Sequence, residues 1–326
     1  MHEPFPSRSR LVHSVLPPRW KTLIAFAIIY FVWGSTFYAI RVGVHEVPPL
    51  LLAAARFTIA GVALFAWAVA QGDHLPRQRE WAAIAVVALL IFVVDYGILF
   101  LAEQRVASGT AAVILATIPA FMALAEILFL RTERLTLRLG SALLVGLAGV
   151  VVLVDPSLGM AGAPVYALGA AGLIVSAISW SAASVLSKKL PMPSSKIMSA
   201  AAQMLVGGLM LCIVAAAAGE VHGFRVEAVS GGAWFALAYL TVAGSIVGFT
   251  AYTWLIHHHS PTRVGTYAYV NPVVAVVVGH FLGGEVLDAR TALGTALVLV
   301  SVIVIAKRRK TEPRAAELSP RRGIQG

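Results

Sequence analysis

Runs of about twenty apolar residues, the length that carries an α-helix across a hydrocarbon core of about 30 Å, recur ten times along this chain. They lie near 22–42, 49–70, 82–102, 107–130, 136–154, 164–187, 197–217, 232–256, 264–283 and 289–306. Lipid offers no hydrogen bonds to a backbone, so each run must satisfy its own N–H and C=O groups, and an α-helix does so within one segment. Composition agrees with lipid as the solvent: 59% of the residues are hydrophobic and 12% are charged, where soluble domains carry about 25% charged residues. The short alternating segments of an outer-membrane barrel are not seen. The expected fold class is all-α and integral to the membrane, with ten transmembrane helices.

The chain is also one unit written twice. Trp33, in Trp33-Gly34-Ser35-Thr36-Phe37, returns 147 residues later as Trp180, in Ser179-Trp180-Ser181. At the same spacing Arg41 meets Lys188 and Arg56 meets Gln203; further on, Pro119 pairs with Pro272, Glu133 with Glu285 and Gly140 with Gly294. Five spans per unit is an odd number, so the second unit starts from the opposite face of the bilayer. The two halves are then inverted about an axis in the membrane plane, the architecture that offers one central site alternately to each side. The expected organisation is an N-tail over 1–20, a first repeat over 21–155, a second over 163–306 and a basic C-tail over 307–326.

A formal charge of +10 suggests nucleic acid until it is placed on the chain. Twenty of the 25 Lys and Arg fall on the side that holds both tails, and only Arg41, Arg105, Arg225 and Arg290 on the other. By the positive-inside rule both termini are cytoplasmic, and Lys307-Arg308-Arg309-Lys310 is a topology anchor with no nucleic-acid partner implied. The first apolar run lacks a small-residue cleavage site and reads as an uncleaved anchor. The single cysteine, Cys212, is expected to pack among Leu, Ile and Val of the seventh span. No loop is long enough for a soluble domain. No G-x-x-x-x-G-K-[ST], H-E-x-x-H, G-x-S-x-G or C-x-x-C occurs, so no enzyme, ATP-driven pump, cofactor or metal is expected. The run His257-His258-His259 does not share a helix face and is not a metal site.

Several motifs carry a family resemblance. Trp33-Gly34-Ser35-Thr36, Pro48-Pro49…Arg56-Phe57, Ala102-Glu103-Gln104-Arg105-Val106-Ala107-Ser108-Gly109, Ala116-Thr117-Ile118-Pro119 and Tyr269-Val270-Asn271-Pro272-Val273-Val274-Ala275 resemble the EamA-type drug/metabolite transporters, and the likeness covers residues 20 to 306. The resemblance implies two inverted five-helix repeats, helices 1–4 and 6–9 around a central cavity, helices 5 and 10 outside, and secondary transport, often export of amino acids or other small metabolites.

A charge at the bilayer centre costs about 2.5–3.5 kcal/mol on insertion scales, so Arg56, Asp95 and Glu126, which lie well inside spans, need a reason to be there. Either Arg56 is neutralised by Asp95 or Glu126 in a structural pair, or the three line the cavity and bind substrate or carry protons. Glu126 and His280, nearly equivalent in the repeats, form a conceivable proton relay. Trp33 and Trp180 are read as flat cavity walls, with Ser35, Thr36, Ser181 and Ser184 as hydrogen-bonding neighbours. Tyr96, Gln203, Tyr267, Tyr269 and Asn271 are further cavity candidates, and Pro119 and Pro272 either paired hinges or two static kinks. Glu103, at the end of span 3, is read as a solvated surface charge or a residue of the cavity mouth.

The sequence-based expectation is an inner-membrane secondary transporter that exports neutral, hydrophobic or aromatic amino acids. An exporter of cationic drug-like compounds is the alternative within transport, and a membrane scaffold or intramembrane enzyme the alternative outside it. A phosphate-ester carrier would gather Lys and Arg inside the spans, and only Arg56 is there. The expected partners are a small-molecule substrate and the bilayer. A monomer is expected, with a homodimer through Gly140, Gly146 and Gly149 as the alternative.

Overall fold

The computed structural model describes residues 19–130, 137–154, 163–285 and 288–306; most of the N-tail, the C-tail and Glu133 lie outside the described residues. Each apolar run is helical. The helices are α1 (Arg19–Val44), α2 (Pro49–Ala70), α3 (Gln78–Glu103), α4 (Ser108–Leu130), α5 (Leu137–Val154), α6 (Ala163–Leu186), α7 (Lys196–Ala217), α8 (Gly231–His258), α9 (Tyr267–Gly283) and α10 (Ala289–Ala306). No strand occurs among the described residues. Among the described residues seven helices, α1–α4 and α6–α8, are long and apolar enough to cross a membrane, while α9 and Ala292–Ser301 within α10 are shorter apolar stretches.

The helix ends are set by local chemistry. Pro49 opens α2, where its missing N–H costs nothing. The Ser195 hydroxyl accepts from the Met198 N–H to cap α7, and Ser230 does the same for α8 through Ala233. Glu46, in the α1–α2 turn, accepts from the Ser230 N–H at 2.7 Å and the Ser230 hydroxyl at 2.8 Å. Those two donors hold its carboxyl below the usual carboxylate range, so this tie is present at neutral pH and weakens on acidification. Gly284, at φ 64°, closes α9 in the left-handed conformation.

Helices α2 and α7 make the closest crossing. A Cβ on Gly61 would lie 2.6 Å from Leu205 Cα, and one on Gly208 would lie 2.9 Å from the Phe57 carbonyl carbon. The helices run antiparallel there, because Thr58 faces Gly208 while Gly61 faces Leu205. Helices α5 and α10 cross in the same sense, Gly146 against Ser301 and Gly149 against Leu297 and Val298. The glycines of α5 are thus used inside the fold, apart from Gly140, which has nothing within 4 Å among the described residues. Cys212 departs from expectation: it is exposed on the outer face of α7, because the buried face of that helix is taken by Gly208, Leu211 and Ala215.

Two further irregularities position the centre. The backbone widens into π-type turns over Leu89–Tyr96 in α3 and Leu240–Phe249 in α8, with shorter ones at Ile28–Val32 and Glu126–Leu130; such turns redirect side chains and leave carbonyls unclaimed. Helix α4 breaks at Ala116–Thr117, and the short turn Pro261–Val264 is separated from α9 by Gly265–Thr266. Pro119 therefore follows its break at the start of a new segment, where Pro is tolerated. Pro272 sits inside α9, five residues past its start. The two prolines are equivalent in sequence but not in local structure.

Candidate functional site

The two tryptophans of the repeat meet at the centre of the molecule. Trp33 of α1 and Trp180 of α6 stand edge to face with centroids 5.5 Å apart, both almost fully buried. Tyr252 tilts against both, at 5.2 and 4.9 Å, and Tyr267 is edge-on to Trp33 at 5.2 Å. Tyr96 and Phe249 close the far side of Trp180 at 5.9 and 6.5 Å. Edge-to-face pairs of this kind are each worth about 0.5–1.5 kcal/mol beyond their buried area, so the cluster is a fixed wall.

Its register follows from the wide turns. The Trp33 indole N–H donates to the Gly244 carbonyl at 3.0 Å, inside the π-type stretch of α8. Only glycine fits at 244 and 248: a Cβ on Gly244 would meet Arg56 and Thr36, and one on Gly248 the Trp33 ring itself. The Asn271 amide nitrogen, turned toward α1, donates to the Tyr30 carbonyl at 2.9 Å and the Ile29 carbonyl at 3.1 Å, carbonyls of the wide turn Ile28–Val32. Trp180 differs from Trp33 in one respect. Its indole N–H is buried and, among the described residues, has no acceptor in good hydrogen-bond geometry, although the Tyr252 and Tyr267 phenol groups stand beside it.

Beside these rings lies a cavity of about 50 Å³, walled by Trp33, Trp180, Tyr96, Tyr267, Thr36 and Asn271, with aliphatic side chains of α1, α3 and α4. Asp95 is the acid on that wall, 3% exposed, with its carboxylate accepting a short hydrogen bond from the Ser176 hydroxyl. The space is much smaller than the roughly 300 Å³ at which ligand pockets begin, so this conformation is closed around its centre.

Other candidates stand elsewhere. Arg56 is 1% exposed and lies behind the wall: its Nε donates to Ser245 at 2.7 Å, Nη1 has no partner, and its guanidinium carbon is 5.2 Å from the Tyr96 ring centre. No carboxylate comes within ion-pair distance of it among the described residues, which corrects the expected pair with Asp95 or Glu126. Aromatic faces and one hydroxyl touch the guanidinium, and Glu103 acts on it from beyond ion-pair distance. Ser35 bonds Tyr239 at 2.6 Å and pins α1 to α8. Ser181 bonds the Ile118 carbonyl at 3.1 Å just past the break of α4, and Ser184 bonds Tyr252 at 2.5 Å. Gln203 turns back to Ser199 within α7 at 3.0 Å, and Tyr269 is half-buried outside the cavity wall.

The proton relay is also corrected. His280 is exposed at the end of α9, its Nδ1 3.0 Å from the Glu285 carbonyl oxygen, beside the start of α4. Glu126 is buried 18 residues along α4 from Ser108, which is about 27 Å at 1.5 Å per residue. A direct relay cannot span that distance.

A second polar cluster ties the end of α1, the start of α4 and the end of α9 together, close in sequence to Ile40 and Ala112 of the cavity wall. Glu285 accepts from the Ser108 N–H at 2.9 Å, the Ser108 hydroxyl at 2.6 Å and the Gly109 N–H at 3.1 Å, so it caps α4 from the α9 side. Arg41 Nε lies 3.5 Å from the same carboxylate, and Arg41 Nη1 donates to the Val106 carbonyl at 2.8 Å. Tyr38 donates to the Leu282 carbonyl at 2.8 Å. Near this cluster sits Glu103, which is not a surface charge: it is fully buried, neither oxygen has a partner in good hydrogen-bond geometry among the described residues, and Arg41, Glu285 and Arg56 are its charged neighbours.

Sequence reading missed Tyr252, Phe249, Ser176 and the contacts that join Arg41, Ser108 and Glu285. Phe249 stands 153 residues after Tyr96, the spacing of the prolines, so an aromatic match was there to be found. Tyr252 falls opposite Leu99 and carries no such signal.

The model of the EamA-like transporter family matches residues 20–155 and again 167–307. The chain is 35% identical over 298 residues to the uncharacterized inner membrane transporter YedA of Escherichia coli (strain K12), spanning 91% of this chain and 94% of that one. It is 27% identical over 291 residues to a WAT1-related chloroplastic protein of Arabidopsis thaliana, spanning 88% and 69% of the two chains. It is 26% identical over 289 residues to an uncharacterized transporter of Archaeoglobus fulgidus, spanning 89% and 100%. A protein of known crystal structure shares the fold, with a TM-score of 0.64 at 24% identity over 90% of this chain and 99% of that one.

Proposed function

The chain belongs to the EamA-like transporter family, and from that premise we propose that it exports neutral, hydrophobic or aromatic amino acids across the inner membrane by alternating access. It is a multi-pass membrane transporter and not an enzyme. The observation that carries the substrate class is the pairing, on one aromatic-walled cavity, of a carboxylate at Asp95 with an unclaimed N–H donor at Trp180. A zwitterion supplies what each lacks, an ammonium for Asp95 and a carboxylate for the indole N–H, while its side chain lies among Trp33, Tyr96 and Tyr267.

The transport cycle follows from ten crossings arranged as two inverted halves, with both termini cytoplasmic. The antiparallel crossing of α2 and α7 supports that arrangement: exchanging the halves by 147 residues turns the Gly61–Leu205 contact into the Gly208–Thr58 contact. Two-fold exchange of antiparallel helices is what an axis in the membrane plane requires. A closed centre of about 50 Å³ must then open toward each side in turn. Arg41, Glu285 and Ser108 latch the side away from the tails, Pro119 lies beside the break of α4 that bends, and Pro272 bends α9 from within.

Asp95 among aromatic faces is also the geometry that holds an organic cation, which favours a drug-like cation as the second reading. The test is counterflow into proteoliposomes holding the purified protein, with labelled amino acids and a labelled aromatic cation. Amino-acid counterflow is the expected result. Counterflow of the cation alone replaces the substrate class, and none for either probe overturns both readings.

The latch gives its own expectation. Glu285→Gln keeps one oxygen for the Ser108 N–H but puts an amide NH2 opposite the Gly109 N–H and removes the attraction to Arg41. A hydrogen bond to a charged group is worth about 1.5–3 kcal/mol, and partial exposure reduces it, so several-fold easier opening is expected. In a Cys212→Ala background, Ile40→Cys would report it through its labelling rate with a membrane-impermeant thiol reagent. An unchanged rate means that the cluster is not the latch.

A further inference from the structure

A groove of about 560 Å³ opens on the outer surface between the first turns of α1 and α7 and the last turns of α2 and α8. Its rim and its depth differ in chemistry. At the rim stand Lys21, exposed and 5.5 Å from the Trp20 ring centre, and half-buried Lys196 at the start of α7. Neither lysine has a carboxylate within ion-pair distance among the described residues. Trp20, Trp67 and Trp254 surround them, the residues that gather where headgroup meets hydrocarbon. Below the rim the wall is aliphatic, through Ile24, Ile28, Leu64 and Val247. Ile28 is seven residues below Lys21, or about 10 Å at 1.5 Å per residue. The Thr250 hydroxyl on the same wall is buried without a partner.

We propose that this groove binds one anionic phospholipid, its phosphate between Lys21 and Lys196 and the upper part of an acyl chain along Ile24, Ile28 and Val247. Two unneutralised cations at the open end fit an anionic headgroup. The aliphatic depth excludes a soluble anion as the natural occupant, because such an anion covers none of it. The outer wall of the groove, Thr250 and Ala251, is the back of the turn that carries Phe249 and Tyr252 into the central cluster, so an occupied groove braces α8 where it holds the cavity.

Native mass spectrometry of the full chain in detergent tests this with phosphatidylglycerol and phosphatidylcholine of the same acyl chains. A lysine near a lipid surface contributes about 1 kcal/mol, so a preference for phosphatidylglycerol of about fivefold per lysine is expected. The preference should vanish in K21A/K196A and persist in K21R/K196R. The comparison variant R79A/K189A removes the same charge from exposed positions outside the groove, and it should keep the preference. Because phosphatidylcholine binding is read in the same spectra, a misfolded variant is distinguished from a selective loss. Preference surviving in K21A/K196A, or lost equally in R79A/K189A, overturns the site. Equal competition by soluble glycerophosphoglycerol would also overturn it, because the groove would then hold no chain.

Discussion

Asp95→Asn is expected to lower amino-acid counterflow by about ten- to a hundredfold while the protein stays folded. The size follows from what is lost. Hydrogen bonds to a charged group contribute about 1.5–3 kcal/mol, and 1.36 kcal/mol is a factor of ten. The unchanged fold follows from what is kept: asparagine has the same shape, and its carbonyl oxygen still accepts from Ser176. The remaining wall, Trp33, Trp180, Tyr96 and Tyr267, is untouched. The deaminated analogue of a transported amino acid gives the decisive comparison. Wild type should discriminate strongly against it, and Asp95→Asn should treat the two nearly alike. If Asp95→Asn lowers both equally, or neither, Asp95 serves the packing against Ser176 and not the ammonium.

The legible part of this molecule was set by periodic or duplicated signals. Length and apolarity placed every helix within a few residues, because lipid permits one backbone solution for a run of that kind. The duplication placed Trp33 opposite Trp180, and these are the residues that meet. The charges were less legible. Arg56 looked as if it needed an acid, and instead it rests on Tyr96 with a single hydroxyl at Ser245. Nothing in sequence spacing reports that a wide turn in α8 presents Ser245 and the Gly244 carbonyl to α1 and α2. Glu126 and His280 matched in the repeat, but in the inverted arrangement proposed above equivalent positions point toward opposite membrane faces. Equivalence in sequence therefore argues against contact at helix ends and for contact only near the axis. The tryptophans are near it; Glu126 and His280 are not. The same logic explains Glu285, whose repeat partner Glu133 was visible while its contacts with Arg41 and Ser108 were not.

Gly208→Ala and Gly61→Ala are each expected to destabilise the protein by about 1–3 kcal/mol or more, the range for forcing atoms into a packed interior. Each new methyl would meet main chain, Leu205 in one case and Phe57–Thr58 in the other. A side chain at the contact could turn aside; backbone in a helix cannot, so α2 and α7 must move apart. The two contacts are exchanged by the repeat, so their single effects should be similar. Once one substitution has separated the helices, the second meets a gap already made, and the double variant should cost clearly less than the sum. Gly140→Ala, with nothing within 4 Å, is the reference and should gain up to about 1 kcal/mol from helix propensity. Thermal unfolding of the purified protein in one detergent measures all four. Additive losses would mean that the two glycines report separate contacts. A neutral Gly208→Ala would mean that the crossing is looser than the structure has it, and the shared axis would lose its main support.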